Sequence, residues 1–213
     1  MNCRKEDMLL YAVTDRHWLG EESLYSQVEK ALKGGATFLQ LREKDLPEEE
    51  FLRESALIRD LCRSYHVPFV INDNAGIAAK IDADGVHVGQ EDGRADEIRA
   101  KLGPDKIIGV SAHNLKEALL AEQLGADYLG VGAAFPTGTK GNANVIDHAV
   151  YREITEAVHI PVVAIGGITA ENVSRLSGSG VDGVAVVSAI FAQPDIETAA
   201  RQLKLRVKEM VEA

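Results

Sequence analysis

Gly125-Ala126-Asp127-Tyr128-Leu129-Gly130-Val131 is the stretch on which the reading of this chain turns. A glycine stands where a helix would end, a short step follows, and an apolar run begins. Glycine enters the left-handed conformation that caps a helix at no steric cost. The run lacks polar alternation, as a strand covered on both faces does. The pattern recurs as Gly35-Ala36 ahead of Phe38 and as Gly180-Val181-Asp182 ahead of Gly183. Each copy reads as a helix handing over to a strand, the αβ turn of a β/α unit.

Working outward, eight short apolar runs qualify as strands: 8–14, 38–42, 69–72, 85–88, 107–111, 128–131, 162–165 and 183–187. Amphipathic stretches between them include 23–33, 47–65, 115–124, 149–158 and 195–211. Pro47 with three following glutamates suits a first helical turn, and Asn114 and Thr169 suit N-caps. Gly34-Gly35, Gly125 and Gly180 fall where left-handed C-caps are wanted. Eight strands alternating with helices, with no linker or break in composition, predict an α/β fold, a single closed (β/α)8 TIM barrel. A doubly wound sheet is the rival. The barrel is assigned to residues 8–213, preceded by a polar leader, residues 1–7.

At 213 residues the chain suits one domain, and 46% hydrophobic residues suffice for one large core. A net charge of −10 argues against a nucleic-acid partner, because phosphate backbones demand an excess of Lys and Arg. The same charge means that any anionic substrate must be met by locally gathered cations or a metal. Cys3 and Cys62 are the only cysteines, one in the leader and one in an apolar helical pattern, so a reduced compartment is expected. No signal core precedes residue 8, and no apolar run approaches the roughly 18 residues of a membrane span. The protein reads as cytoplasmic, without a membrane partner.

Barrels place chemistry at the C-terminal ends of their strands. There the sequence sets Thr14-Asp15, Gln40 to Lys44, Asn72-Asp73-Asn74, His87 to Asp92, Ser111-Ala112-His113, Thr137 to Lys140, Gly166-Gly167 and Val187-Ser188. Gln40, Arg42 and Lys44 share one face of a continuing strand and form a candidate anion site. Alternatively they belong to a solvated charge run. Asp73 and Asp92 follow adjacent strands and could hold one Mg²⁺, or could merely form turns. Thr137-Gly138-Thr139-Lys140 has the composition of a phosphate-gripping loop without Walker spacing. Gly166-Gly167, with a helix expected after Thr169, matches the phosphate site that barrels often build after strands 7 and 8. His87 reads as a satisfied core histidine. His113 is either a proton carrier or an exposed loop residue. Jointly the signals describe a metal-assisted anion site over strands 2–5 and a metal-free one over strands 6–8.

These motifs, one per strand and in order, resemble the thiamine phosphate synthase family, also called thiamine-phosphate pyrophosphorylase. The resemblance rests on Tyr11 to Asp15, Gln40 to Lys44, Ile71 to Asn74, Gly85 to Gln90 with Asp92, Gly109-Val110-Ser111, Phe135 to Lys140, Ala164 to Ile168 and Val187-Ser188. It implies that Gln40, Leu41, Arg42, Glu43, Lys44, Asn72, Ser111 and Lys140 bind 4-amino-2-methyl-5-(diphosphomethyl)pyrimidine. Asp73 and Asp92 would hold the Mg²⁺ on its diphosphate. Thr137, Gly138, Thr139, Gly167, Val187 and Ser188 would hold 4-methyl-5-(2-phosphoethyl)thiazole, or its carboxylated form. Arg42, Lys44, Ser111 and Lys140 would carry the reaction, a dissociative transfer giving thiamine phosphate and diphosphate. A thiazole tautomerase on the same barrel is the alternative that His113 keeps open, and a non-catalytic phosphate sensor is a second. The paired carboxylates and the Arg42–Lys44 cradle speak against both.

Overall fold

The computed structural model describes residues 3–138 and 144–213. Eight parallel strands close in sequence order: β1 (Leu10–Val13), β2 (Phe38–Leu41), β3 (Phe69–Asn72), β4 (Gly85–Val88), β5 (Ile107–Ala112), β6 (Tyr128–Gly132), β7 (Val162–Ile165) and β8 (Gly183–Val186). β8 returns to β1 with Val184 opposite Leu10, which completes the barrel. The expected fold is present, and the strand ends differ from the sequence reading by at most two residues.

Alternation along each strand splits the apolar residues between two cores. Leu10, Leu39, Leu41, Ile71, Val86 and Val184 face the helices, whereas Tyr11, Phe38, Val70, Tyr128, Val163 and Ala185 fill the interior. Both faces are covered, so the runs read as continuously hydrophobic. Inside, Tyr11, Phe38 and Tyr128 meet edge to face, with ring centroids 4.6–5.8 Å apart. Gly109 makes room for this trio, since a Cβ there would stand 2.1 Å from the Tyr128 ring.

The outer layer comprises α1 (Leu24–Lys33), α2 (Glu48–Ser64), α3 (Ala75–Lys80), α4 (Ala95–Leu102), α5 (Leu115–Gln123), α6 (His148–Ala157), α7 (Ser188–Phe191) and α8 (Ile196–Val211). Their buried faces follow helical spacing, as in Phe51, Ser55, Ile58 and Leu61 of α2 and Ile196, Ala200, Leu203 and Val207 of α8. Asn114 caps α5 as expected, its side chain accepting the Glu117 N–H. Two local expectations are corrected. Of Gly34-Gly35 only Gly35 is left-handed (φ +100°). Gly34 is helical at φ −70°, and its missing Cβ, which would lie 2.6 Å from Ala200 Cβ, lets α1 approach α8. After β7 there is no α-helix but a 3₁₀ turn, Val173–Leu176, because Ser174, Ser177, Gly178, Ser179 and Gly180 favour turns over a helix.

One device recurs at the N-terminal rim. The residue before each even-numbered strand accepts, through its side chain, an N–H at the start of the preceding odd strand. Thr37 Oγ1 takes Leu10 at 2.8 Å, Asp84 takes Phe69 at 2.8 Å, Asp127 takes Ile108 at 3.0 Å and Asp182 takes Val162 at 2.9 Å. In every case the same residue donates its own N–H to the carbonyl of the residue it caps. The Gly-Ala-Asp pattern is therefore a register clamp as well as a helix stop. Below this rim the chain passes through a 3₁₀ turn, Lys5–Met8, and Cys3 and Met8 join the interior cluster.

Asp127→Ala removes the clamp at β5–β6 together with the carboxylate partner of Arg99, whose Nη2 lies 2.6 Å from Asp127 Oδ2 and which also donates to backbone carbonyls. Leaving the buried Ile108 N–H unsatisfied is expected to lower unfolding stability by about 1–3 kcal/mol. Asp127→Asn, which keeps an acceptor, should lose less. Chemical denaturation of both variants checks this. The turn lies at the end of the barrel opposite the strand C-termini, so kcat should stay close to wild type.

Candidate active site

The C-terminal ends of the strands enclose a cavity of about 440 Å³. Its wall over β2–β5 carries Gln40, Arg42, Lys44, Asn72, Asp73, Asp92 and Ser111, and the wall over β6–β8 carries Thr137, Gly167, Val187 and Ser188. The structure thus brings together eleven of the expected residues. Leu41 and Glu43 are not among the lining residues. Leu41 faces the helices, as strand alternation requires, and Glu43 is turned to Arg16, whose Nε donates to it at 2.8 Å. Gly138 is exposed beside Thr137, and Thr139 and Lys140 lie outside the described residues.

Arg42 follows directly on β2. Its N–H donates to Thr14 Oγ1 at 3.0 Å, and its Nη1 lies 3.1 Å from Asp15 Oδ2. The other Asp15 oxygen accepts the His17 N–H at 2.9 Å, so the carboxylate that steers Arg42 is itself fixed. Lys44 Nζ stands 3.5 Å from Asp73 Oδ2. Each described cation of the site therefore rests against a carboxylate that an incoming anion would have to replace or share.

Asp73 follows β3 in the left-handed region at φ +59°, where Asp is one of the few tolerated non-glycine residues. Its N–H donates to His87 O at 2.8 Å. Burial, and then the nearby Asp92 charge, push the Asp73 carboxyl above its ordinary range, against the opposing pull of Lys44. Asp92 is held by the Gly89 N–H at 2.9 Å. Two neighbouring carboxylates, with Lys44 against Asp73, form a donor set that a hard divalent cation would stabilise. Among the described residues no group of three or more His, Cys, Asp or Glu could hold a metal by itself. Substrate and water oxygens would have to complete the shell.

On the opposite wall, Gly166 (φ +97°) and Gly167 (φ +65°) form a turn that only glycine adopts freely. A Cβ at Gly167 would stand 2.4 Å from Pro136 O and 2.6 Å from Phe135 O, so the Phe135–Thr137 segment lies directly against this turn. Asn172 Nδ2 donates to Gly167 O at 2.9 Å from the far side. Both glycines take the positive φ of a tight turn, and Gly167 packs against the neighbouring loop. Val187 and Ser188 begin α7, whose first N–H groups have no partners within the helix.

Sequence reasoning missed the residues beneath this surface. His87, read as a satisfied core histidine, is indeed hydrogen-bonded, but it also lines the cavity, with Nε2 3.0 Å from Ser111 Oγ and Nδ1 2.9 Å from Tyr128 Oη. The signal was the glycine at position 130, where a Cβ would come within 3.1 Å of His87 Cε1. Asp15 was noted at a strand end without its tie to Arg42. His113 sits at the rim with Nδ1 2.8 Å from Glu117 Oε2.

The family model described as thiamine monophosphate synthase matches residues 10–190. A thiamine-phosphate synthase of Clostridium beijerinckii is 48% identical over 200 residues, covering 94% of this chain and 96% of that protein. One from Clostridium acetobutylicum is 47% identical over 195 residues, with 92% of each covered. A solved structure, thiamine phosphate pyrophosphorylase from Pyrococcus furiosus, superposes with a TM-score of 0.89 at 40% identity, over 97% of this chain and 98% of that one.

The raised Asp73 carboxyl generates a stability prediction. Its folded state holds the proton to higher pH than the unfolded chain, so folding loses stability as pH rises through the folded-state value. Asp73→Asn removes that cost, and Asn suits the left-handed backbone equally well. Thermal unfolding at neutral pH without added metal should show the variant more stable than wild type, with the gap closing in acid. Added Mg²⁺ should stabilise wild type and leave the variant unmoved.

Proposed function

This chain belongs to the thiamine monophosphate synthase family and is a transferase of that family; from that premise we propose that its cavity joins a pyrimidine diphosphate to a thiazole phosphate, with Mg²⁺ on the diphosphate side. The observation that carries the proposal is the pairing, across one cavity, of a cation-and-carboxylate wall over β2–β5 with a glycine-turn wall over β6–β8. The product would be thiamine phosphate, with diphosphate released.

In this reading the pyrimidine lies over Gln40, Asn72 and Ser111, with its diphosphate toward Arg42, Lys44 and Lys140. Leu41 and Glu43 serve only as the chain that carries Arg42 and Lys44 into place. Asp73 and Asp92 would hold Mg²⁺, which when bound supplies positive charge to the leaving group. The thiazole phosphate lies against Thr137, Gly138, Thr139, Gly167, Val187 and Ser188. The carbon–oxygen bond to diphosphate breaks with its electron pair leaving on oxygen, and the thiazole nitrogen captures the pyrimidinylmethyl cation. Such a step needs stabilised leaving-group charge and held substrates more than a strong base. The tautomerase reading is not favoured: the relatives named above are synthases, and a proton shift alone would leave Asp73, Asp92, Arg42 and Lys44 without a task. Both free cysteines are buried, which fits a reducing cytosol as the working compartment.

The direct test incubates the protein with both substrates and assays diphosphate. Release is expected only when Mg²⁺ is present, and release without any divalent cation would contradict the metal assignment. Arg42 tests the mechanism. A cation facing the leaving group stabilises the transition state more than the ground state, so Arg42→Ala should lower kcat by roughly 10²–10³. Arg42→Lys should recover only part of this, because a point charge lacks the planar fork. Steady-state kinetics at saturating pyrimidine diphosphate decide it, and a raised KM with unchanged kcat would show that Arg42 only holds the substrate.

A further inference from the structure

In the cavity floor four side chains form an unbroken hydrogen-bonded row that ends on Ser111. Gln40 Nε2 is 2.5 Å from Tyr11 Oη, and Tyr11 Oη is 2.7 Å from Tyr128 Oη. Tyr128 Oη is 2.9 Å from His87 Nδ1, and His87 Nε2 is 3.0 Å from Ser111 Oγ. Gln40, Tyr11, Tyr128 and His87 are all buried, and Tyr128 is fully enclosed while the other three border the cavity. Burial also pushes both tyrosine hydroxyls upward, so they keep their protons.

These constraints fix the direction of the row. An amide nitrogen only donates, so Tyr11 Oη accepts from Gln40 and its one hydrogen goes to Tyr128 Oη. Tyr128 in turn spends its hydrogen on His87 Nδ1. That nitrogen must then be the bare one of a neutral imidazole, and Nε2 carries the hydrogen to Ser111 Oγ. With its oxygen already accepting from within, Ser111 keeps its own hydroxyl hydrogen for the cavity. A second proton on His87 would set Nδ1–H against the Tyr128 hydrogen and leave one buried hydroxyl without an acceptor, a costly arrangement.

We infer that Tyr11, Tyr128 and His87 are positioning residues that orient the proton of Ser111, making its hydroxyl a donor to a ring nitrogen of the bound pyrimidine. The row also links the Gln40 amide to Ser111, so both ends of the floor present a fixed donor and acceptor pattern. None of the three relays charge in the reaction. The inference rests on the reading that the pyrimidine lies over β2–β5, and it adds a source of selectivity for that ring. Room for the row comes from Gly109 and Gly130, where a Cβ would approach Tyr128 and His87 within 2.1 and 3.1 Å respectively.

Nitrogen-15 NMR of histidine-labelled wild-type protein, free of ligand, reads the tautomer directly, with His87→Gln identifying the signal among the six histidines. The expected result is a neutral ring with hydrogen on Nε2. Hydrogen on Nδ1, or an imidazolium, overturns the inference. Kinetics supply the second readout. Tyr128→Phe should raise the KM for the pyrimidine diphosphate by roughly three- to tenfold, the worth of one hydrogen bond, with kcat and the KM for the thiazole phosphate nearly unchanged. His87→Gln, which keeps a donor toward Ser111, should bind the pyrimidine better than His87→Leu. Equal KM increases for both substrates, or equal behaviour of Gln and Leu at position 87, would show a merely structural row. Absence of any thiamine phosphate from wild type would instead defeat the parent reading, while the tautomer measurement would still stand.

Discussion

Four side chains at the base of the barrel, Thr37, Asp84, Asp127 and Asp182, fix what happens at its top. Each ties an even strand to the start of the odd strand before it, by side chain and backbone together. A one-residue slip in any pair would turn that strand's interior residues outward. With register held at the rim, positions two apart on neighbouring strands arrive at the mouth together. Gln40, Asn72, His87 and Ser111 face one cavity because Val13 pairs with Gln40, Asn72 with His87 and Ser111 with Gly130. The clamp contributes to stability; its larger effect is on where the functional side chains end up.

On the proposed reading, an acidic chain would meet anionic ligands by local pairing. Arg42 and Lys44 are gathered at adjoining strand ends, and each rests against a carboxylate, Asp15 or Asp73. Asp73 in turn is crowded by Asp92 and held in a left-handed backbone conformation. A divalent cation bound there would relieve the crowding of the two carboxylates, and Arg42 and Lys44 would face the charge of a diphosphate. Across the mouth, close packing does the corresponding work. The glycines at 166 and 167 let the Phe135–Thr137 segment lie within contact distance of the turn, and Arg175 covers the Phe135 ring from outside at 5.2 Å.

Much of this was legible in the sequence because barrel strands announce themselves as apolar runs closed by polar residues. The eight strands and the residues at their C-terminal ends could be read from that pattern; β2 ends at Leu41, so Arg42 and Lys44 reach the cavity from the segment beyond it and not by the strand's period of two. Four kinds of feature could not be read that way. Asp84 stands in Asp82-Ala83-Asp84 with no preceding glycine, so the fourth clamp lacked the signature by which the others were found. Leu41 and Glu43 sit within the same motif as their neighbours, and only the observed direction of each side chain separates them from the cavity. The Gln40–Ser111 row joins residues from five strands, and no local window contains it. The short 3₁₀ turn after β7 replaced the expected helix because serine and glycine outweigh the few apolar residues there.

The account makes one claim on which the rest turns: two anion sites share one mouth, and only the site over β2–β5 depends on metal. Calorimetric titration of the free protein with inorganic diphosphate and, separately, with the thiazole phosphate, each with and without Mg²⁺, measures this most directly. Diphosphate should bind tightly only when Mg²⁺ is present, and the thiazole phosphate should bind with the same affinity in both conditions and alongside bound diphosphate. Loss of thiazole phosphate binding on removing Mg²⁺, or mutual exclusion of the two ligands, would contradict it.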